Sequence, residues 1–184
     1  METPIKEKTI KKLVNQIRKC RKCSLWKTRT KTVPGEGLVN AKIIIIGQAP
    51  GRKENLQGRP FVGRAGQLLN QLLKLAKIKR EKVFITSPLK CFPPENRKPT
   101  RKEIAVCLPY LLKQIDIINP QKVILLGEVA FSIFFPKQKL NEFRGHWIKK
   151  EGRQFFITYH PAAGLRFPKI KKILERDFRH IGVF

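Results

Sequence analysis

The chain has 184 residues, enough for one domain (1–184) with an ample core, and its 40 Lys and Arg against 13 Asp and Glu give a formal charge of +27. A charge of that size repels itself and attracts a polyanion, so nucleic acid is the partner the composition favours, with an anionic membrane surface second. No apolar run approaches the ~18 residues of a membrane span and no basic-then-apolar leader opens the chain, so a soluble, cytoplasmic protein is expected.

Thr3-Pro4 reads as a helix start, and Ile10, Leu13, Val14 and Ile17 recur at helical spacing with lysines opposite. This helix delivers Cys20 and Cys23 at its end. Residues 24–40 read as irregular, with a turn at 34–37. Four isoleucines, Ile43 to Ile46, form a β-branched run that suits a strand buried on both faces. The chain leaves it through Gly47-Gln48-Ala49-Pro50-Gly51, an abrupt loop, and passes a second tight piece, Gly58-Arg59-Pro60-Phe61-Val62-Gly63. A helix over 64–76 follows, with Leu68, Leu69, Leu72, Leu73 and Ala76 as its apolar stripe. The glycine loop matches neither the dinucleotide fingerprint nor the P-loop. Its place after a buried strand is nevertheless where open α/β sheets bind ligands.

A second strand over 82–86 runs into Ser87-Pro88-Leu89-Lys90-Cys91-Phe92-Pro93-Pro94-Glu95-Asn96-Arg97-Lys98-Pro99, where four prolines in thirteen residues forbid helix and central strand alike. A loop this long in a compact domain is functional or tied down. Thr100-x-x-Glu103 is a capping box, so a helix begins there, carries Cys107, and is expected to kink or restart at Pro109. A third strand, 122–126, closes at Gly127 and is followed by a short helix over 128–135. The fourth strand, 154–158, ends at Tyr159-His160-Pro161-Ala162-Ala163-Gly164-Leu165-Arg166, and Pro168 opens a last amphipathic helix. Strands alternating with helices imply an α/β fold with a mostly parallel sheet covered on both faces.

The four cysteines fall as Cys20-x-x-Cys23 and as Cys91 with Cys107, with fifteen residues between the latter two. In an intracellular chain such thiols stay reduced, which favours a metal site over disulfides. Zinc and an iron–sulfur cluster both accept four thiolates, and the spacing does not separate them.

Taken together, GQAPG at 47–51, GRPFVGRAGQLLN at 58–70, KCFPPENRKP at 90–99, HPAA at 160–163 and the four cysteines resemble the type 4, iron–sulfur-containing uracil-DNA glycosylases of bacteria and archaea. The match spans nearly the whole chain. The resemblance implies a three-layer α/β/α sandwich with a four-stranded parallel central sheet, and a structural [4Fe-4S] cluster on Cys20, Cys23, Cys91 and Cys107, with zinc as the alternative. It implies a monomer that flips uracil out of single- or double-stranded DNA and cuts its N-glycosidic bond. His160 is then the donor to the uracil O2, helped by backbone N–H groups near Gln48 and Ala49 in the Gln48-Ala49-Pro50 loop. Phe61 stacks on the base, Glu54 crowds the thymine methyl, Ser87 reads uracil, and Asn96 lies near the sugar. Gly164, Leu165 and Arg166 face the DNA, with Leu165 or Phe167 as the wedge.

Three positions depart from the family pattern. Gln48 stands where a glutamate is usual, Ser87 where an asparagine is usual, and Gly164 where an apolar residue is usual. An amide holds a water but is a poor base, and one hydroxyl replaces a bidentate amide. Alternatives are therefore a glycosylase of the same fold that prefers hypoxanthine or xanthine, or a non-catalytic DNA-binding relative.

Overall fold

The computed structural model describes residues 2–182. Four short apolar strands run parallel at its centre: β2 (Ile43–Ile46), β3 (Phe84–Thr86), β4 (Lys122–Leu126) and β6 (Arg153–Thr158), in the spatial order β3-β2-β4-β6. Two further strands pair antiparallel at the edges, β1 (Glu36–Gly37) on β3 and β5 (Trp147–Lys150) on β6. Among the described residues the sheet is thus six-stranded and mixed, not the four-stranded parallel sheet expected.

Both edges have a physical reason. Gly37, at φ +133, lies so close to β3 that any side chain there would run into the Val83 carbonyl. A stretch that reads as a turn therefore pairs because it carries a glycine. β5 is lysine-rich and only half-buried. It folds back onto β6 through Glu151-Gly152, both at positive φ (49 and 74), as a two-residue hairpin requires. Its charge also blunts the exposed edge.

Side chains alternate between the faces of the sheet. Ile44, Ile46, Val123, Leu125, Phe155 and Ile157 pack on α4 (Arg101–Ile118), α5 (Glu128–Phe134) and α6 (Leu140–Phe143). Ile45, Ile85, Ile124, Leu126 and Phe156 pack on α3 (Arg64–Leu75) and α8 (Pro168–Ile181). Burial on both faces is why the strands read as unbroken apolar runs. The N-terminal helix α1 (Thr3–Arg18) lays Ile10, Leu13 and Ile17 against Cys107, Tyr110 and Ile117 of α4. That contact carries Cys20 and Cys23 toward Cys107.

The capping box at Thr100 and Glu103 is formed in both directions, at 3.2 and 2.8 Å. Pro109 lies inside α4 without ending it, so the expected restart does not occur. Two more short helices, α2 (Arg52–Gln57) and α7 (Pro161–Arg166), stand in segments that read as loops. Among the described residues no helix is long and apolar enough to cross a membrane.

Candidate active site

The carboxyl ends of the four parallel strands open onto one cavity of about 630 Å³. Gln48, Ala49 and Pro50 enter it from the end of β2, Ser87 from β3 and His160 from β6. Glu54 of α2, Phe61 and Asn96 complete a set of eight sequence-designated residues brought to one place. In an open α/β sheet this is the position at which strand-end loops converge on a ligand.

His160 caps the N-terminus of α7. Its Nδ1 accepts the Ala162 N–H at 3.2 Å, so the ring proton sits on Nε2. Burial lowers its pKa to about 4, which keeps the imidazole neutral and a donor. The Phe61 ring stacks beside it, with centroids 5.6 Å apart and planes 29° from parallel. At Gly47 a Cβ would stand 2.7 Å from the Phe61 ring and 3.7 Å from His160 Nε2. The two rings therefore meet over bare backbone. Among the described residues none accepts the backbone N–H of Gln48 or Ala49.

Phe61 is held in a left-handed conformation, φ 52, which a bulky residue adopts only when its surroundings impose it. Two neighbours impose it here. Glu54 Oε1 accepts the N–H groups of Val62 and Gly63 at 2.8 and 2.7 Å, latching α2 to the start of α3. Gly66, in the first turn of α3, lets that helix approach so closely that a Cβ would overlap the Phe61 carbonyl. The Glu54 carboxylate lines the cavity, but this latch already engages one of its oxygens.

Ser87 is buried and its hydroxyl donates to the Leu89 carbonyl at 2.6 Å, which leaves the oxygen free only to accept. Behind it lies Lys90, fully buried, whose ammonium meets Thr86 Oγ1, the Ser87 carbonyl and Gln114 Oε1 at 2.6, 2.7 and 2.7 Å. Three protons find three acceptors, while burial lowers the pKa to about 7. Nothing in the pattern KCFPP marks this lysine as interior. Asn96 sits exposed in a one-turn helix at φ 55, beside Gly51. Arg97 next to it makes a two-pronged pair with Glu103 at 3.0 and 2.6 Å, and this pairing holds the Glu103 carboxyl down to about 2.

All four cysteines line a second, narrow cavity between the end of α1, the proline-rich loop and α4. Cys91 and Cys107 are buried, and burial pushes the Cys107 thiol up to about 11. Arg29 donates to Cys91 Sγ at 3.2 Å. Among the described residues no group of three or more Cys, His, Asp or Glu side chains is arranged to hold a single metal ion.

In α7, Gly164 is buried, with Leu174 and Leu68 against it, and does not line the cavity. Leu165 and Phe167 beside it are 41% and 57% exposed, and Arg166 reaches the cavity mouth with Arg97 and Lys98. The residue that sequence reading misses is Glu128, which lines the cavity from the end of β4. A signal for it exists in the sequence: the third strand also ends on a glycine, at Gly127-Glu128, as a fourth strand-end turn.

The chain matches the family described as the uracil DNA glycosylase superfamily over residues 34–179. It is 44% identical over 183 residues to a type-4 uracil-DNA glycosylase of Sulfurisphaera tokodaii, covering 94% of this chain and 83% of that one. It is 42% identical over 182 residues to one of Archaeoglobus fulgidus, covering 92% and 90%. To one of Thermotoga maritima it is 41% identical over 186 residues, covering 97% and 96%.

Proposed function

The chain belongs to the uracil DNA glycosylase superfamily and, within it, to the type-4 uracil-DNA glycosylases, and on that premise we propose how its pocket works. It is a hydrolase that removes uracil from DNA and leaves an abasic site. The observation that carries the reading is the neutral His160, with Nδ1 tied to Ala162 and its Nε2 proton free, set beside Phe61 in the cavity at the strand ends.

A base within a duplex is out of reach and must be everted into the cavity. Phe61 then offers it a face. Ser87 Oγ, its own proton committed to Leu89, accepts the uracil N3–H. As the glycosidic bond lengthens, positive charge grows on the sugar and negative charge on the uracil O2. A fixed neutral donor aimed at that oxygen costs no reorganisation, and this is the largest effect a site of this kind supplies. His160 is that donor, with the unclaimed N–H groups of Gln48 and Ala49 beside it. Glu54 holds the Phe61 loop in place, and its fixed carboxylate occupies the room a thymine methyl would need. Asn96 and the Gln48 amide face the sugar and its water. Arg97, Lys98 and Arg166 at the cavity mouth meet phosphates, and Leu165 or Phe167 fills the gap left by the everted nucleotide.

Cys20, Cys23, Cys91 and Cys107, which line one cavity together, would hold the [4Fe-4S] cluster expected of a type-4 enzyme, with zinc as the alternative. Arg29 on Cys91 offsets the negative charge of such a group. Held by these four thiolates, such a cluster would cross-link the proline-rich loop to α1 and α4, apart from the reacting bond. Protein purified without oxygen is brown and contains iron; stoichiometric zinc in place of iron would overturn the assignment.

Oligonucleotides carrying U·G, U·A, single-stranded U or hypoxanthine, treated with the protein and then with alkali, test the activity. Cleavage at uracil is expected, and His160→Gln slows it about 10²–10³-fold with DNA affinity unchanged. Cleavage at hypoxanthine alone would move the specificity to another deaminated base.

A further inference from the structure

Hydrolysis needs a water at the sugar and a group to take its proton, and a cationic transition state is stabilised by a nearby negative charge. The base cavity has two carboxylates, Glu54 and Glu128. Glu54 is engaged by the N–H groups of Val62 and Gly63. The Gln48 amide carries no charge. Glu128 is exposed at the first position of α5, and among the described residues it makes no hydrogen bond or ion pair. Its place follows from the sheet. β4 lies between β2 and β6, pairing Ile46 with Leu125 and Leu126 with Thr158. Continued past the strand ends, that register sets Glu128 between Ala49, next to Gln48, on one side and His160 on the other.

A second observation bears on the water. A separate recess of about 480 Å³ lies on the far side of His160, lined by Lys139, Asn141 and Tyr159. It shares Glu128, His160 and Ala163 with the base cavity. A nucleotide everted into the first cavity would leave this recess open to solvent. The Glu128 carboxylate therefore borders both recesses, at their junction.

We propose that Glu128 is a catalytic residue, whose carboxylate holds the attacking water at the junction of the two recesses and receives its proton. The inference rests on the uracil-excising reading above. The water oxygen bonds to C1′ as the C1′–N1 bond breaks, and the bonding pair leaves with uracil, spread over N1 and O2. One water proton passes to Glu128 and the other remains on the new 1′-hydroxyl. Glu128 then releases its proton to solvent, and the uracil anion takes one up from solvent.

Single-turnover excision of uracil from a single-stranded oligonucleotide tests this with the holoprotein, its E128Q variant and the E128Q/Q48E double variant. E128Q is expected to be about 10²-fold slower with the DNA dissociation constant unchanged. The carboxylate placed on the adjacent strand end in E128Q/Q48E restores about tenfold or more. Equal rates for wild type and E128Q would overturn the proposal while leaving the uracil reading intact. A lower melting temperature with unchanged excision would reduce Glu128 to a helix-end charge and overturn it too. A wild type that releases uracil from no substrate would overturn both readings.

Discussion

Glu54→Gln separates two roles for one carboxylate. The variant keeps the side chain's shape and an oxygen acceptor but removes the charge. In the native chain that oxygen takes two N–H groups at 2.8 and 2.7 Å. A bond to an ionised acceptor contributes about 1.5–3 kcal/mol and a neutral one about 0.5–1.5, so the change costs about 1 kcal/mol per bond and about 2 kcal/mol in all. In a chain of this size that lowers the melting temperature by about 4–8 °C. The latch also holds Phe61 at φ 52, a conformation that itself costs about 1–3 kcal/mol. With the latch weakened the loop relaxes and the ring leaves its place beside His160. Excision of uracil therefore falls by about tenfold or more, the factor that 1.4 kcal/mol of misplacement produces. Calorimetry and single-turnover excision on U·G and T·G duplexes measure both effects. A variant with wild-type melting and wild-type uracil excision would refute the latch. Thymine excision by Glu54→Ala but not by Glu54→Gln would show the side chain's bulk at work as well.

Gly66→Ala pushes a methyl group into the Phe61 carbonyl, so excision should fall more than tenfold while iron content stays the same. An active Gly66→Ala protein would mean that the Phe61 backbone need not be fixed. His160 makes stability depend on pH with a definite sign. Its folded pKa of about 4 lies below the 6.5 of the free side chain, so the folded state resists protonation. The His160 contribution is full above 6.5 and is lost as pH falls toward 4, about 3 kcal/mol in total. Urea midpoints for wild type and His160→Gln should converge across that interval, and parallel curves would count against it. Glu103 acts in a lower window, its contribution disappearing only as pH drops from 4.5 toward 2. Lys90→Met takes a donor from three buried acceptors and leaves the Ser87 carbonyl unpaired, while Gln114 Oε1 keeps the Thr86 hydroxyl; it should cost about 1–3 kcal/mol, seen as a loss of melting temperature and of excision together.

Much of this was legible in the sequence because it rests on short-range chemistry. The isoleucine run of β2, the leucine stripe of α3 and the Thr100–Glu103 box each state their structure in consecutive residues. The eight cavity residues were legible only as motifs, since no local pattern tells that positions 48 and 160 meet. What escaped depends on neighbours distant in the chain. Gly37 pairs because β3 passes beneath it, and Glu151-Gly152 turns a lysine-rich stretch into an edge strand. Lys90 reads as a surface residue but finds Thr86 and Gln114 waiting for it. Gly164 reads as a gap in a DNA wedge, yet it is buried, with Leu174 against it.

On the proposed reading, the proline-rich loop gives a reason for four cysteines that stand apart from the reacting bond. Proline lacks an N–H, so a loop with four of them cannot be fixed by a ladder of backbone bonds. This loop nevertheless places both Ser87 and Asn96 at the same cavity, with Cys91 between them. Lys90 ties its first turn to Gln114 of α4, and Arg97 ties its far end to Glu103 of the same helix. Both anchors end on α4, which also carries Cys107. A metal group joining Cys91 and Cys107 to the end of α1 would fix the remaining middle of the loop to the same helix. The pocket's precision would then derive from three cross-links to one rigid element, and the reacting atoms need never approach the metal.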